Sequence, residues 1–325
     1  MEYWIILVVV CIIIVYAYNW YVYNRNESII KDIIAKQKHE TSFKKKLRPL
    51  TIQIDNDINS IFNNHVNNKQ IHELCMYSVD GGKRLRSIIG YSIIRKLNEN
   101  IDTTAMQSAN CVELLHTASL ILDDIMDNDK ERRGKATLHH KYGLANAQLC
   151  ASYLVILSMK LPLSTTTKYQ STIINVVPTL LNDVTDLIDG QMMDLQHSRL
   201  TKKQDVLDTL IKKTASIFEM IFSMAWCLSN GDIDRLPEIR KIALNFGIAY
   251  QIYDDYTDYY ADLNSGALNY IHKTSEETAF RDFKKHIAYV LEHMPKYGID
   301  TPEINTIISY LVGVVEDIHV HVNKK

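Results

Sequence analysis

The sequence predicts an all-α bundle with a central cavity, preceded by one N-terminal transmembrane helix. Glycine and proline, which break helices, number only 11 and 6 among 325 residues. Long segments repeat apolar residues at three- and four-residue spacing, and no segment alternates convincingly as a strand does. An uncharged apolar run opens the chain. We therefore predict a membrane anchor at 1–24, a basic and partly helical linker at 25–50, and a helical domain at 51–325.

The N-terminal run is typical of an uncleaved membrane anchor. Residues 3–23 carry no formal charge, and about 20 apolar residues suffice to cross a bilayer. Lysines and arginines are frequent between positions 25 and 48, and such residues favour the cytoplasmic side. A cleaved signal peptide is the alternative, but the run lacks a basic start and a small-residue cleavage site. We expect a single-pass membrane protein whose helical domain is cytoplasmic.

Charge and cysteine usage exclude several classes of function. The formal net charge of −2 provides no global basic field, so we expect no nucleic-acid partner. Any anionic ligand must be bound by local cations. The five cysteines include no C-x-x-C pair, which favours reduced thiols and argues against a disulfide framework or a zinc site.

Several helices can be placed directly. Thr301 followed by Pro302 predicts a helix start, and Gly298 predicts the stop before it. Thr201 with Gln204 resembles a capping box. Apolar periodicity predicts helices over four segments, which are 112–125, 169–195, 206–228 and 239–253.

Two DDxxD motifs each follow an apolar run. The first comprises Asp123, Asp124 and Asp127, and the second comprises Asp254, Asp255 and Asp258. Carboxylates this close repel one another unless a cation lies between them. Mg²⁺ is the natural cation, because it binds through one or two carboxylates together with substrate phosphates. A solvated helix face would explain one such motif, but two of them with nearby basic residues favour a shared metal–diphosphate site.

Cations that could bind phosphate lie close to these motifs in the sequence. Lys83 and Arg86 follow a glycine pair and would share a face if a helix starts there. Arg132 and Arg133 follow the first motif, His116 lies seven residues before Asp123, and Lys213 is followed by Thr214. Arginine binds phosphate bidentately, whereas lysine acts as a point charge. These residues also have ordinary structural explanations: the glycine pair with Lys83 can be a simple turn, Arg132 and Arg133 a solvated surface pair, and His116 a core histidine.

The order of these motifs resembles the trans-isoprenyl diphosphate synthases, the polyprenyl synthetase family. The series is GGKxxR, HxxSLxxDDxxDxxxxRRG, GQxxDL at 190–195, KT and QxxDDxxD, and it spans roughly 68–262. The resemblance implies an isoprenoid-synthase-type helical bundle that forms a homodimer. With its anchor, the chain is most similar to the membrane-anchored trans-prenyltransferases of large DNA viruses. The host endoplasmic reticulum is then a candidate membrane.

The resemblance also implies a role for each site residue. Direct Mg²⁺ ligands would be Asp123, Asp127 and Asp254. Supporting or water-bridged metal partners would be Asp124, Asp255 and Asp258. Residues that bind the homoallylic diphosphate would be Lys83, Arg86, His116 and Arg133. Residues that bind the allylic diphosphate would be Arg132, Lys213, Thr214 and Gln251. Gln191 and Asp194 would line the cavity.

The implied reaction condenses isopentenyl diphosphate with dimethylallyl, geranyl or farnesyl diphosphate to geranylgeranyl diphosphate or a longer product. Three Mg²⁺ ions, with Arg132 and Lys213, would stabilise the departing pyrophosphate. Two alternatives are a catalytically silent, membrane-tethered partner subunit of a prenyl synthase and a class I terpene cyclase. A cyclase normally lacks the GGKxxR motif and the second DDxxD motif.

The sequence departs from the family pattern in three places. Ser87 and Ala136 replace prolines, which indicates mild structural change. The segment 259–273 replaces the usual GK-xxGxD loop, which carries a further lysine that reaches the allylic diphosphate. Lys273 is the candidate substitute for that lysine.

Product length depends on the residues about one turn before Asp123. Ala118 and Ser119 are both small, whereas bulky aromatic residues at these positions in the family stop growth at fifteen carbons. Because packed interiors tolerate few added methylenes, we predict a product of at least twenty carbons. A plug from elsewhere would shorten the product, and four residues are candidates: Val112, Leu115, Met192 and Phe218.

Overall fold

The computed structural model describes residues 34, 36–98, 103–164, 167–196 and 202–322. The predicted membrane anchor at 1–24 and the predicted cap residue Thr201 lie outside these residues. The described chain is predominantly helical, as the sequence predicts. Its first helix, α1, covers 36–65. The other α-helices are α2 (Lys69–Val79), α3 (Leu85–Leu97), α4 (Thr103–Ala109), α5 (Cys111–Met126), α6 (Leu138–Tyr142), α7 (Leu144–Leu163), α8 (Thr167–Leu195), α9 (Lys203–Leu210), α10 (Ser216–Cys227), α11 (Leu236–Thr257), α12 (Tyr259–Ser265), α13 (Tyr270–Lys273), α14 (Glu276–His293) and α15 (Pro302–Val322).

Helix α1 corrects the predicted linker (25–50) over its described part, while residues 25–33 and 35 lie outside the described residues. Phe43, Leu47 and Leu50 on α1 are buried in the core, with exposures of 6%, 3% and 5%. They continue at helical spacing into Ile54 and Ile58, which are also buried, so one apolar stripe crosses residue 51 without a break. The intervening lysines lie on the other faces of the same helix and hide the pattern. The helical domain therefore includes residues 36–50, which do not form a separate linker.

Helix α10 lies at the centre of the bundle. All of its residues except Glu219 are buried, and it packs against α3, α8 and α11. A helix that is apolar on every side can be satisfied only in the interior. Helix α5 packs instead against α7. This arrangement brings the carboxyl ends of α5, α8 and α11 into the region where the site is built.

The helix predictions are confirmed with two refinements. Helices α5, α8 and α11 match three predicted segments to within a few residues, and Thr301 accepts a hydrogen bond from the N–H of Ile304 at 3.1 Å. The predicted helix 206–228 is divided into α9, a π-helical turn at Ile211–Ala215, and α10. A short β-hairpin, β1 (Glu131–Arg132) with β2 (Lys135–Ala136), also forms where no strand was predicted.

Within the described residues, one helix has the length and composition to cross a membrane. Helix α7 has a mean hydropathy of 1.3. It also packs against α5, α2 and α6, and a core helix of a soluble domain passes the same test. We therefore interpret α7 as part of the helical domain.

Candidate active site

The first acidic motif lies at the carboxyl end of α5. Asp127 caps this helix, and its N–H donates to the carbonyl of Asp123 at 2.9 Å. The second motif lies in the same position on α11, where Asp258 is the cap residue and its N–H donates to the carbonyl of Asp254 at 2.9 Å. A helix carboxyl end carries partial negative charge and favours cations. Three carboxylates at each of two such ends therefore form an arrangement that added cations would stabilise.

Asp123 lies at a convergence of polar side chains. Its carboxylate accepts a hydrogen bond from Nε2 of Gln191 at 2.6 Å and from Nζ of Lys213 at 3.5 Å. Nη2 of Arg132 lies 3.7 Å away. Partial desolvation and the charge of Asp123 raise the pKa of Asp127. The predicted site residues of α5, α8 and the π turn thus meet around one carboxylate.

Asp124 is held by protein groups and not presented to solvent. Its side chain is 6% exposed and pairs with Nε of Arg132. Arg132 is positioned by the β-hairpin, whose turn has positive φ at Arg133 (55°) and Gly134 (74°). Two successive positive φ values are typical of the type I′ turn, which matches the twist of paired strands. The RRG sequence is therefore a turn that aims Arg132 at the first motif.

The π turn presents Lys213 and Thr214 to the site. The turn packs closely against one glycine of α8 and one of α11. A Cβ atom added at Gly190 on α8 would lie 2.4 Å from the backbone N of Lys213. A Cβ atom added at Gly247 on α11 would lie 2.6 Å from Cα of Ala215. Only glycine allows backbones to approach this closely. Single π turns are frequent at functional sites, because the extra residue changes the direction of the side chains. The glycine of GQxxDL is explained by this contact.

Lys213 is bound by two carboxylates. Its ammonium group pairs with Asp194 and lies 3.5 Å from Asp123. Burial works against its charged form, but the charges of Asp194 and Asp123 outweigh burial and raise the pKa of Lys213. Lys213 is therefore charged and held between α5 and the end of α8.

The three carboxylates of the second motif differ in environment. Asp255 is 2% exposed, and it accepts hydrogen bonds from Nε2 of Gln251 at 2.7 Å and from the N–H of Tyr270 at 2.6 Å. Asp258 is 49% exposed on its side chain. Burial and the charge of Asp258 raise the pKa of Asp254 to about 6. Asp255 therefore supports the chain that follows α11, whereas Asp254 and Asp258 are available to a ligand.

A continuous polar path joins the two motifs. Thr214, next to Lys213, donates from its hydroxyl to Oε1 of Gln251 at 2.7 Å. Gln251 in turn donates to Asp255. Burial is the largest cause of the raised pKa of Asp127, in the first motif, and of Asp262, four residues after the second motif, and the charge of Asp194 adds a smaller rise to both. The structure therefore brings both predicted motifs into one site.

A cluster of arginines lies beside the first motif. A Cβ at Gly82 would lie 2.1 Å from Nη1 of Arg84 and 3.2 Å from Nη1 of Arg133, so two guanidinium groups meet at this glycine. Arg84 and Arg133 both have left-handed backbone conformations, with φ of 56° and 55°, which are uncommon for residues other than glycine. Such strain often marks a functional site. The cluster has the charge and the donors to bind an anion.

The glycine pair does not start a helix, contrary to the expectation for Lys83 and Arg86. Helix α3 begins at Leu85, and Arg84 is its N-cap in the left-handed conformation. Lys83 therefore precedes the helix, and Arg86 lies within its first turn. Cζ of Arg86 lies 5.1 Å from the ring centre of Phe218, and this contact supports the guanidinium group in the interior. The turn separates the two cations that a continuous helix would have placed on one face.

Sequence reasoning did not identify Glu113 or Arg84 as site residues. Glu113 is 4% exposed, its Oε1 lies 3.6 Å from Nη1 of Arg84, and its charge favours the charged forms of Arg86 and Arg133. It lies three residues before His116 on α5, and that helical spacing could have identified it.

Three buried polar atoms in this region lack a hydrogen-bond partner. They are Nε of Arg86, Oε2 of Glu113 and Nδ1 of His116. Burial, followed by the charges of Arg86, Arg133 and Arg132, lowers the pKa of His116 well below its usual value. Buried polar groups are normally paired, so unpaired groups on three neighbouring residues indicate a ligand site.

The two residues expected to control product length, Ala118 and Ser119, lie on α5. Ala118 is fully buried, and Ser119 is half-buried with its hydroxyl donating to the carbonyl of His116 at 2.8 Å. Of the four candidate plugs, Val112, Leu115 and Phe218 are buried, whereas Met192 is 55% exposed. Met192 is therefore the weakest of these candidates.

The carboxylates of the two acidic motifs are suitable ligands for Mg²⁺. Asp123, Asp127, Asp254 and Asp258 offer only oxygen ligands, which Mg²⁺ prefers. No group of three or more histidine, cysteine or acidic side chains is close enough to enclose a metal within the described part of the chain. Mg²⁺ commonly completes its coordination with water and substrate phosphate, so paired carboxylates without an enclosing cage suit it.

Comparison with known proteins identifies the family. A family model described as polyprenyl synthetase matches residues 68–267, and the chain belongs to the polyprenyl synthetase family. It is 31% identical to the geranylgeranyl diphosphate synthase of Sulfolobus acidocaldarius over 65% of each chain. It is 26% identical to the farnesyl diphosphate synthase of Micrococcus luteus over 76% of this chain and 90% of that one. The match thus spans somewhat less than two thirds of the Sulfolobus enzyme.

Solved structures confirm the predicted isoprenoid-synthase fold. The structure of geranyltranstransferase from Thermotoga maritima matches with a TM-score of 0.67 and 25% identity, and covers 82% of this chain and 97% of that one. These relatives are named as prenyltransferases, which agrees with the predicted enzyme class.

Proposed function

We propose that this protein is a prenyltransferase that condenses isopentenyl diphosphate with an allylic diphosphate and releases pyrophosphate. The observation that carries this proposal is the pair of acidic motifs at two helix carboxyl ends, joined through Lys213, Thr214 and Gln251. Burial and then neighbouring carboxylates raise the pKa values of Asp127 and Asp254, so added positive charge would stabilise both helix ends. Divalent cations that bridge a diphosphate would supply that charge.

Different residues of this chain would bind the two substrate diphosphates. Asp123, Asp127 and Asp254 would hold Mg²⁺, which when bound neutralises diphosphate charge and assists departure of the leaving group. Arg132 and Lys213 would donate hydrogen bonds to the allylic diphosphate, with Thr214 and Gln251 placing them.

The arginine cluster would bind the homoallylic diphosphate. Arg86 and Arg133 would supply positive charge there, and the charge of Glu113 favours their charged forms. His116 would add a hydrogen-bond donor, and Lys83, whose charge also acts on Asp254, would approach from the side of the second motif. Because burial lowers the pKa of His116 well below its usual value, it would act as a hydrogen-bond donor and not as a cation.

Bond making and breaking would proceed without a nucleophilic side chain. The allylic C–O bond breaks, and its electron pair leaves with pyrophosphate. The homoallylic double bond then attacks the allylic carbon, and a proton passes to the departed pyrophosphate to restore an alkene. The protein would provide orientation and preorganised charge.

The small residues Ala118 and Ser119 support a product of twenty carbons or more. Small side chains at these positions, about one turn before Asp123, would obstruct a growing prenyl tail less than aromatic ones would. The named relatives include both farnesyl and geranylgeranyl diphosphate synthases, so these two side chains carry the length proposal.

We also propose that residues 1–24 anchor the enzyme to a membrane with the helical domain in the cytoplasm, as in the anchored prenyltransferases of large DNA viruses. The uncharged run and the lysines and arginines that follow it support this assignment. A hydrophobic product would then form next to the bilayer that receives it.

A homodimer is supported by an exposed apolar face on α7 and α8. Seven large apolar residues on these helices are each 45–65% exposed. Within each helix they repeat at seven-residue spacing: Leu149, Ile156 and Leu163 on α7, and Ile174, Leu181, Ile188 and Leu195 on α8. Such a stripe is typical of helices that pack against a second copy. Light scattering in detergent would give two copies per particle if this face is the dimer interface.

The activity can be tested with the full-length protein in detergent. Radiolabelled isopentenyl diphosphate, farnesyl diphosphate and Mg²⁺ should give a labelled prenyl diphosphate, and EDTA or Asp123→Asn should abolish it. A hydrocarbon formed from the allylic diphosphate alone would favour the terpene cyclase. No product from any allylic partner would favour the silent subunit and contradict the proposal.

A further inference from the structure

The first described turn of α1 brings a lysine to the second acidic motif. Nζ of Lys36 lies 3.8 Å from Oδ1 of Asp258, and the Lys36 side chain is 35% exposed. These residues are more than 200 positions apart in the sequence. No sequence motif marks Lys36, which lies in the segment that was predicted to be a linker.

The charge of Lys36 acts on other site residues as well. Burial and then the charge of Lys36 lower the pKa of Lys83. The pKa of Asp254 is raised by burial and by Asp258, while the charges of Lys83 and Lys36 oppose that rise. Lys36 and Lys83 are therefore two ammonium groups near Asp254 and Asp258.

Helix α1 is fixed in position close to this lysine. Phe43 stacks on Tyr310 with 4.4 Å between ring centres, and the hydroxyl groups of Tyr310 and Tyr253 are 2.9 Å apart. Tyr253 directly precedes Asp254. One helical turn from Lys36, Nε2 of His39 lies 3.1 Å from the carboxylate of Asp317 on α15. Lys36 thus extends from a helix that is attached to both α11 and α15.

The described segment between Asp258 and α14 places its one lysine at the surface. Lys273 is the sole lysine or arginine between 259 and 275, and it is exposed at the end of α13. Among the largest influences on the pKa of Asp254, the positive charges are those of Lys83 and Lys36. Lys36 on α1 is therefore the candidate for a phosphate-binding cation at the second motif.

We propose that Lys36 binds the diphosphate of the allylic substrate at the second motif, so that helix α1 completes the active site. The three N–H donors of a lysine ammonium group suit phosphate oxygens as they suit the carboxylate of Asp258. This inference rests on the proposed function. It assigns to the N-terminal helix the cation that the 259–273 segment was expected to supply.

The test compares four variants of the full-length protein in detergent, which are Lys36→Gln, Lys36→Arg, Lys38→Gln and Lys273→Gln. Lys38 is the matched control, because it lies on the same helix but pairs with Asp317 at 2.8 Å. Loss of one charged hydrogen bond should raise the KM for farnesyl diphosphate about tenfold in Lys36→Gln. The KM for isopentenyl diphosphate should change much less, Lys36→Arg should restore most of the affinity, and Lys38→Gln should resemble the wild type.

Two outcomes would overturn the inference while the wild type remains active: equal KM values for Lys36→Gln and Lys38→Gln, or a rise confined to Lys273→Gln. Calorimetric binding of inorganic pyrophosphate with Mg²⁺ gives a second measurement that needs no turnover. Weaker binding by Lys36→Gln than by Lys38→Gln supports the inference, and equal binding contradicts it. An inactive wild type would instead count against the proposed function.

Discussion

The hydroxyl of Thr214 donates a 2.7 Å hydrogen bond to Oε1 of Gln251, and this contact joins the two halves of the site. Thr214 lies on the π turn beside Lys213, which reaches Asp123 of the first motif. Gln251 lies on α11 and donates to Asp255 of the second motif. The contact therefore fixes the position of each acidic motif relative to the other.

Thr214→Val should weaken binding of the allylic diphosphate. The substitution keeps the branched shape but leaves the side-chain oxygen of Gln251 without its donor, which costs about 1–3 kcal/mol. We expect the KM for farnesyl diphosphate to rise about tenfold. Steady-state kinetics would measure this change. Thr209→Val is the control, because its buried hydroxyl donates to the carbonyl of Asp205 outside the site, and an equal effect of both variants would refute the role of Thr214.

Glu113→Gln should destabilise the arginine cluster. Without the carboxylate, Arg84, Arg86 and Arg133 repel one another, and we expect the free energy of unfolding to fall by about 3 kcal/mol. Inorganic pyrophosphate should stabilise this variant more than the wild type, since the anion replaces the lost charge. Thermal melting with and without pyrophosphate measures both effects. The control is Glu316→Gln, which removes an exposed pair with Lys284 and should neither lower stability nor increase the stabilisation by pyrophosphate. If pyrophosphate did not stabilise Glu113→Gln more than the wild type, this account would be contradicted.

Glu219 should make stability depend on pH. Burial raises its pKa from 4.5 to about 7, despite the opposing charge of Arg240. Between these values the folded protein holds a proton that the unfolded chain releases, so the free energy of unfolding falls as pH rises through this window. Glu219→Gln should therefore stabilise the protein at pH 8 by at most about 3 kcal/mol, and by much less at pH 5.

Denaturant titrations at these two pH values would test the prediction for Glu219. The exposed residue Glu292, paired with Lys296, offers the control substitution Glu292→Gln. If Glu219→Gln changed stability equally at both pH values, the assigned protonation would be wrong.

Ala118→Phe should shorten the product. The phenyl ring would fill the space beside α5 that is proposed for the growing tail, and packed interiors do not expand to accept it. Chromatography of the products should show fifteen carbons or fewer for this variant and at least twenty for the wild type. Leu122→Phe adds bulk at an exposed position of the same helix and should not change the length. A wild-type product of fifteen carbons would refute the proposal.

The chemistry of the site could be predicted from the sequence because it resides in residue types at short spacing. The two DDxxD motifs, the RRG turn and the Lys213–Thr214 pair each occupy a few consecutive positions. Long apolar periodicity likewise predicted α5, α8 and α11. These features are local, so tertiary contacts alter them little.

Other features depend on contacts that a single sequence does not display. The π turn exists because Gly190 and Gly247 let two helices press against its backbone. Lys36 reaches Asp258 only because Phe43, Leu47 and Leu50 bury α1 in the core, and the lysines between them conceal that stripe. The left-handed conformations of Arg84 and Arg133 arise from the turns that they occupy, and neither residue type indicates them.

The central claim is that both acidic motifs bind one diphosphate through shared divalent ions. Calorimetry of the full-length protein with a non-cleavable allylic thiolodiphosphate tests it most directly. We predict tight binding only with Mg²⁺, and a loss of at least tenfold in both Asp123→Asn and Asp254→Asn, about 1.4 kcal/mol each. Binding that is independent of Mg²⁺, or that survives substitution of either aspartate, would contradict the account.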